Sequence, residues 1–176
     1  LVNIIFEDRP LVISRSRFLD GFDLIAAAAV AESVVDKLRD SGLKLCGMEA
    51  YETARIEEAN PIFHRELSDR YNPLEAGLAG AVSFTKGCYI GQEVIARLDS
   101  YQKIQRHLVR LRLSDLPLTE NKILFQGKEI GSVTSAVHSI KYNAFIGLGY
   151  IKTEMSKTAE KLDLVDAEKT ATAEIL

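Results

Sequence analysis

Chemistry in this chain concentrates in one stretch, Lys86-Gly87-Cys88-Tyr89-Ile90-Gly91-Gln92-Glu93. Two glycines bracket Cys88 and Tyr89 just ahead of a helix-like run, Gly91 to Tyr101, with Val94, Ile95 and Leu98 on one face. Glycine lets the backbone come close to a ligand, and the turn it allows exposes both bracketed side chains. A helix start carries unpaired amides and positive potential, which favour anions. With Lys86 alongside, the same potential would enrich the thiolate of Cys88. These residues could therefore hold an anionic ligand, do thiol chemistry, or form an ordinary glycine turn before a helix. Cys46, between Leu45 and Gly47, reads as a small buried apolar residue. The cysteines lie in no C-x-x-C pair, and His64, His107 and His138 are scattered, so neither a disulfide framework nor a metal site is expected.

The elements that must position this stretch follow from periodicity. Val2 to Phe6 and Leu11 to Ser14 are strand-like and separated by Glu7-Asp8-Arg9-Pro10, a hairpin signal. Phe22 to Ile25 reads as a third strand. Ala26 to Asp40 is helical, with Ala27, Val30, Val34, Val35 and Leu38 apolar and Ser41-Gly42 as the stop. Met48 to Ala59 is a second helix, closed before Asn60-Pro61. Pro61 to Gly80 reads as irregular. Beyond Gln105 the pattern is strand-like only: Gln105–Leu113, Lys122–Phe125, Glu129–Val137, Ala144–Ile151, Lys161–Val165 and Ala171–Leu176. The expected fold class is α+β: an antiparallel sheet with packed helices over 1–103, then a small all-β barrel domain over 104–176. Arg106, Arg110 and Arg112 alternate with Leu111 and Leu113, so they read as the wet face of a strand.

Bulk composition narrows the class. The 176 residues carry a net charge of −3, with 47% hydrophobic and 27% charged residues, as in a globular protein with a true core. No basic excess points to nucleic acid. No apolar run approaches the roughly 20 residues that span a bilayer, so no membrane association is expected. The chain opens at Leu1 directly on strand-like sequence, which reads as a piece of something longer. The cysteine usage and the lack of a leader-like opening suggest the cytoplasm, or the mitochondrial matrix in a eukaryote.

K-G-C-Y-x-G-Q-E resembles the signature of the YgfZ family of folate-binding proteins at every fixed position. It is also similar to the K-G-x-F-I-G segment of the wider superfamily that contains the aminomethyltransferase, or T-protein, of the glycine cleavage system. Other elements extend the resemblance from about Ser14 to Ile151. Arg55-Ile56-Glu57-Glu58-Ala59 is similar to the T-protein element R-L-E-A-G, and Pro73-Leu74-Glu75-Ala76-Gly77-Leu78 to P-x-E-A-G-L. Ile130-Gly131-Ser132-Val133-Thr134-Ser135 and Gly147-Leu148-Gly149-Tyr150 resemble motifs of its C-terminal β domain.

The resemblance implies roles. Glu57 falls where the superfamily holds the pterin, and a carboxylate can accept two of its N–H groups. Tyr51 falls where an aromatic ring stacks on a flat ligand. Lys86 falls at a basic contact suited to folate's anionic tail, and Tyr89 lies beside it. The implied ligand is tetrahydrofolate or a derivative. By resemblance to YgfZ, Cys88 is the functional thiol of an accessory protein that supports assembly or repair of iron–sulfur clusters, including those of tRNA-modifying enzymes. Its partners would then be iron–sulfur proteins or assembly factors. The alternative is an aminomethyltransferase passing a one-carbon unit to tetrahydrofolate, and a third reading is a module with no retained ligand site. The sequence departs from R-L-E-A-G at Glu58 and Ala59. The aspartate that aminomethyltransferases draw from an N-terminal segment is assigned to no residue of this chain.

Overall fold

A computed structural model describes residues 1–16, 20–101, 104–117, 121–157, 161–165 and 170–176. The chain divides into two compact units, Leu1–Glu58 and Ala59–Leu176. Residues from Ala59 to the boundary expected near 103 thus cluster with the barrel, and residues 102–103 of that boundary lie outside the described part.

The first unit carries an antiparallel sheet of β1 (Val2–Phe6), β2 (Arg9–Arg15) and β3 (Phe22–Ala26), with β2 central. Phe6 pairs with Arg9, so the hairpin loop is Glu7-Asp8 alone, and both have positive φ (46° and 58°). That is the turn whose twist matches the strands it joins. Pro10 lies inside β2 rather than in the turn. The β3 ladder begins only at Leu11, so no partner strand is denied an N–H by the proline. Helix α1 (Ala31–Asp40) follows a single 3₁₀ turn, Ala28–Val30, and so starts later than the sequence suggested. Val30 and Val34, four apart, are buried. Its end is a Schellman motif: the Leu43 N–H donates to the Leu38 carbonyl and Gly42 to Arg39, with Gly42 at φ +91°. Helix α2 (Met48–Glu57) completes this unit.

The second unit contains α3 (Gln92–Tyr101) and a closed antiparallel barrel in the order β4-β7-β6-β5-β8-β9. Its strands are β4 (Arg106–Leu113), β5 (Lys122–Phe125), β6 (Lys128–Ser139), β7 (Ala144–Lys152), β8 (Leu162–Val165) and β9 (Thr170–Ile175), within two residues of the expected bounds at either end. The interior is filled by Leu111, Leu113, Ile123, Ile130, Ile151, Leu162, Leu164 and Ala173. Arg112 stays exposed between Leu111 and Leu113, as alternation requires.

Two paired glycine motifs allow the barrel to close. A Cβ on Gly131 would lie 2.0 Å from the Tyr150 carbonyl oxygen. At Gly147 and Gly149 it would lie 2.6 and 2.7 Å from the carbonyl oxygens of Ser135 and Ser132. The obstacles are backbone atoms of neighbouring strands, next to a register shift between Val133 and Ser135, and cannot swing aside. Gly131→Ala should therefore lose about 3 kcal/mol of stability, the upper part of the overpacking range. Gly87→Ala meets nothing within 4 Å and should change stability by less than about 0.5 kcal/mol. Urea denaturation of both variants checks the contrast.

Candidate functional site

Each residue singled out by sequence can now be placed. Tyr51 and Glu57 belong to α2 in the first unit. Six residues on a helix turn through about 600°, so the two side chains leave the axis about 120° apart, and some 9 Å apart along it. Tyr51 is exposed and Glu57 half-buried. Glu57 closes the last helical turn, where the dipole favours cations over carboxylates. The arginine two residues earlier is tied up locally. Arg55 is fully buried, and its Nε and Nη2 donate to the Glu52 carboxylate at 3.0 and 2.8 Å. Past the helix end, Ala59 has φ +54°. This left-handed position explains the glycine of R-L-E-A-G: an alanine there bears a Cβ penalty that glycine avoids.

Lys86, Cys88 and Tyr89 lie in the second unit, on the turn leading into α3. The Lys86 ammonium sits 4.5 Å from the centre of the Tyr89 ring, a cation–π contact that brings two of the selected residues together. The Lys86 N–H donates to Ser83 Oγ at 3.2 Å. Gly91 has φ +88°, and its carbonyl accepts the Ile95 N–H at 3.2 Å, so it is the glycine that the turn into the helix requires. Cys88 is exposed. Cys46 is exposed too, contrary to the buried position its apolar neighbours suggested. The stretch from Leu43 to Gly47 has no regular structure, and Leu43 and Leu45 also face solvent, so nothing there folds over the thiol. No cluster of potential metal ligands occurs among the described residues.

Sequence reasoning passed over the segment from Pro61 to Gly80, which is firmly built. Asn72 Oδ1 accepts the N–H groups of Leu74 and Glu75 at 3.0 Å, and Glu75 Oε2 accepts the Asn72 N–H at 3.1 Å, a capping box. Gly77, at φ +73°, closes this turn. The P-x-E-A-G-L element is thus a capped turn, and the Glu75 carbonyl accepts the Leu108 N–H of β4 at 2.9 Å. Glu66 is fully buried. Its carboxyl group accepts the Ile62 N–H (3.1 Å) and the hydroxyls of Thr134 (2.7 Å) and Ser135 (2.6 Å) on β6. The Glu66 carbonyl accepts the Tyr150 hydroxyl at 2.9 Å, and Tyr71 stacks on Tyr150 with ring centres 3.5 Å apart. A pocket of about 610 Å³ opens between this segment and the barrel, lined by His64, Arg65, Arg70, Tyr71, Arg106 and Asn121 among others, and by none of the five residues selected from sequence. Ile146 to Ile151 is buried at every position, the mark of a strand covered on both faces.

The model of the GCVT N-terminal domain matches residues 3–86, and that of the glycine cleavage T-protein C-terminal barrel domain matches residues 106–176. The chain belongs to the glycine cleavage T-protein/aminomethyltransferase superfamily. A chloroplastic protein of Arabidopsis thaliana, named for a proposed transferase activity, is 36% identical over 151 residues, covering 85% of this chain and 35% of its own length. The aminomethyltransferase of Symbiobacterium thermophilum is 32% identical over 164 residues, covering 88% of this chain and 44% of its own length. The crystal structure of glycine cleavage system aminomethyltransferase T from Bartonella henselae superposes with a TM-score of 0.77 at 23% identity, over 97% of this chain and 49% of that one. The chain therefore spans less than half the length of these relatives.

Tyr150 supplies a pH test of the segment's attachment. Burial, then the neighbouring Tyr71, Glu66 and Glu75, push its phenol well above the ordinary tyrosine range. The unfolded phenol ionises near its usual value of about 10, while the folded one keeps its proton. The stabilisation is complete below that pH, and stability falls as pH rises further, by up to about 1.4 kcal/mol per pH unit. Denaturation midpoints of the parent between pH 8 and pH 11 should fall more steeply than those of Tyr150→Phe. Equal slopes would mean that the phenol is not held protonated by the fold.

Proposed function

We propose that this chain is the folate-facing part of a tetrahydrofolate-dependent one-carbon transferase of the aminomethyltransferase kind. The observation that carries this reading is Glu57, a half-buried carboxylate in the last turn of α2. It stands in the superfamily element Arg55-Ile56-Glu57, where a pterin would be held. The aminomethyltransferase relatives favour this reading over the accessory-protein one. Glu57 accepts the pterin's N–H groups, and Tyr51 offers its exposed ring for stacking. In the second unit Lys86, steadied over Tyr89, is a cation of the kind that suits an anionic group. Tetrahydrofolate, when bound, supplies the nitrogens that accept the one-carbon unit.

A second reading is favoured by Cys88, exposed within a complete K-G-C-Y-x-G-Q-E motif. In that reading the protein is a YgfZ-type accessory factor for iron–sulfur enzymes, including those that modify tRNA. One thiol cannot hold a cluster, so Cys88 would act as a redox group or a transient ligand. The site of action is the cytoplasm or, as for the chloroplastic relative, the interior of an organelle.

Calorimetric titration with tetrahydrofolate tests the first reading. Glu57→Gln should weaken binding about tenfold or more, the worth of one charge-assisted hydrogen bond. Equal affinities for the variant and the parent would remove Glu57 from the site. Cys88→Ser should leave one-carbon transfer intact, whereas loss of iron–sulfur enzyme activity in cells carrying Cys88→Ser would favour the second reading.

A further inference from the structure

The pocket beside the Pro61–Gly80 segment has a chemistry that the folate reading does not use. Arg65, Arg70 and Arg106 line it, and all three residues are exposed. They come from two distant parts of the chain, the capped segment and the first residue of β4. Lys122 adds a fourth cation, and its ammonium lies 3.0 Å from Glu129, the acidic residue of the wall. The other cations of the lining are the three arginines. Arg106 lies 5.8 Å from the centre of the Tyr71 ring, whose stacking on Tyr150 fixes the floor beneath the guanidinium.

A second, independent feature marks the same wall. Asn121, only 7% exposed, lines the pocket, and its side-chain Oδ1 is buried with no hydrogen-bond partner among the described residues. An unsatisfied buried acceptor is costly in a native fold unless something supplies the missing donor. Its main chain is pinned, because the Asn121 carbonyl accepts the Val133 N–H at 2.9 Å, so the amide is held at the wall.

We propose that this pocket is a binding site for a small anionic molecule with at least two negative charges and an N–H or O–H donor close to them. Guanidinium forks match carboxylate and phosphate oxygens in pairs, and arginines lining one pocket attract such a ligand more strongly than a single surface cation does. The donor satisfies Asn121 Oδ1 after a small adjustment of the amide, which gives the site a preference beyond charge. A volume of about 610 Å³ accommodates a short carboxylate chain or a sugar phosphate. The site lies within the second unit and stands independently of the folate reading.

Two probes separate the sources of such an anion: a γ-linked triglutamate, whose amides are N–H donors, and ribose 5-phosphate, whose hydroxyls are O–H donors. Each is titrated at low ionic strength into the full chain, with NMR readout of the Asn121 side-chain amide and the Tyr71 ring. At least one probe should bind with saturable shifts of both, and the tighter one identifies the carboxylate or the phosphate class. Arg70→Gln/Arg106→Gln should weaken that probe at least tenfold. Both positions are exposed, so the near-ultraviolet signal of stacked Tyr71 and Tyr150 should survive. Asn121→Leu should weaken the same probe while leaving the affinity for sulfate, which has no donor, within twofold. The proposal is overturned if neither probe shifts these resonances, or if binding is unchanged in the double arginine variant.

Discussion

Strand β7 is buried on both faces, and much of the second unit follows from that. Alternation sends Gly147, Gly149 and Ile151 into the barrel and Ile146, Leu148 and Tyr150 to the outside, yet all three outer residues are essentially inaccessible. An outer face this apolar must be covered. At Tyr150 the cover is the segment from Pro61 to Gly80, which has no α-helix or strand to satisfy its own polar groups. Glu66 does that work. Its one carboxyl group gathers a backbone N–H from its own segment and two hydroxyls from β6, 68 and 69 residues away. A buried carboxyl group is tolerated only when its oxygens are occupied in this way.

The glycines answer the same demand from the inside. Gly131, Gly147 and Gly149 let β6 and β7 approach so closely that a methyl group would strike a carbonyl oxygen. The motifs Ile130-Gly131-Ser132 and Gly147-Leu148-Gly149-Tyr150 are therefore rules of barrel closure. Pro73 to Leu78 is likewise a structural element, a capping box closed by a left-handed glycine. Among the shared elements, Glu57 and the turn carrying Lys86, Cys88 and Tyr89 are the ones that barrel packing leaves unexplained.

Local elements were legible in the sequence because their signals are local. The barrel strands follow alternation, and α1 ends at the glycine that its Schellman motif requires. The exposed turn before α3 follows from Gly91. Three features were not legible. The arginine pocket joins Arg65 and Arg70 to Arg106, and no spacing rule links them. Glu66 looks like any loop carboxylate until its partners on β6 are known. Cys46 looked buried because leucine and glycine flank it, but burial depends on what packs over a residue, and Leu43 and Leu45 are themselves exposed. Ala59 shows the reverse case: its departure from the superfamily glycine was visible in sequence, and the structure supplies the reason, a left-handed backbone.

The central physical claim is that Glu66 fastens the Pro61–Gly80 segment to the barrel. Its most direct test is chemical denaturation of Glu66→Ala beside the parent, with Tyr71–Tyr150 stacking followed in the near ultraviolet. Removing the carboxyl group takes an acceptor from the Ile62 N–H and from the Thr134 and Ser135 hydroxyls and leaves a cavity at a fully buried position, so stability should fall by about 3 kcal/mol, and the stacked-tyrosine signal should weaken before the barrel unfolds. A loss below about 0.5 kcal/mol with the tyrosine signal intact would contradict the account.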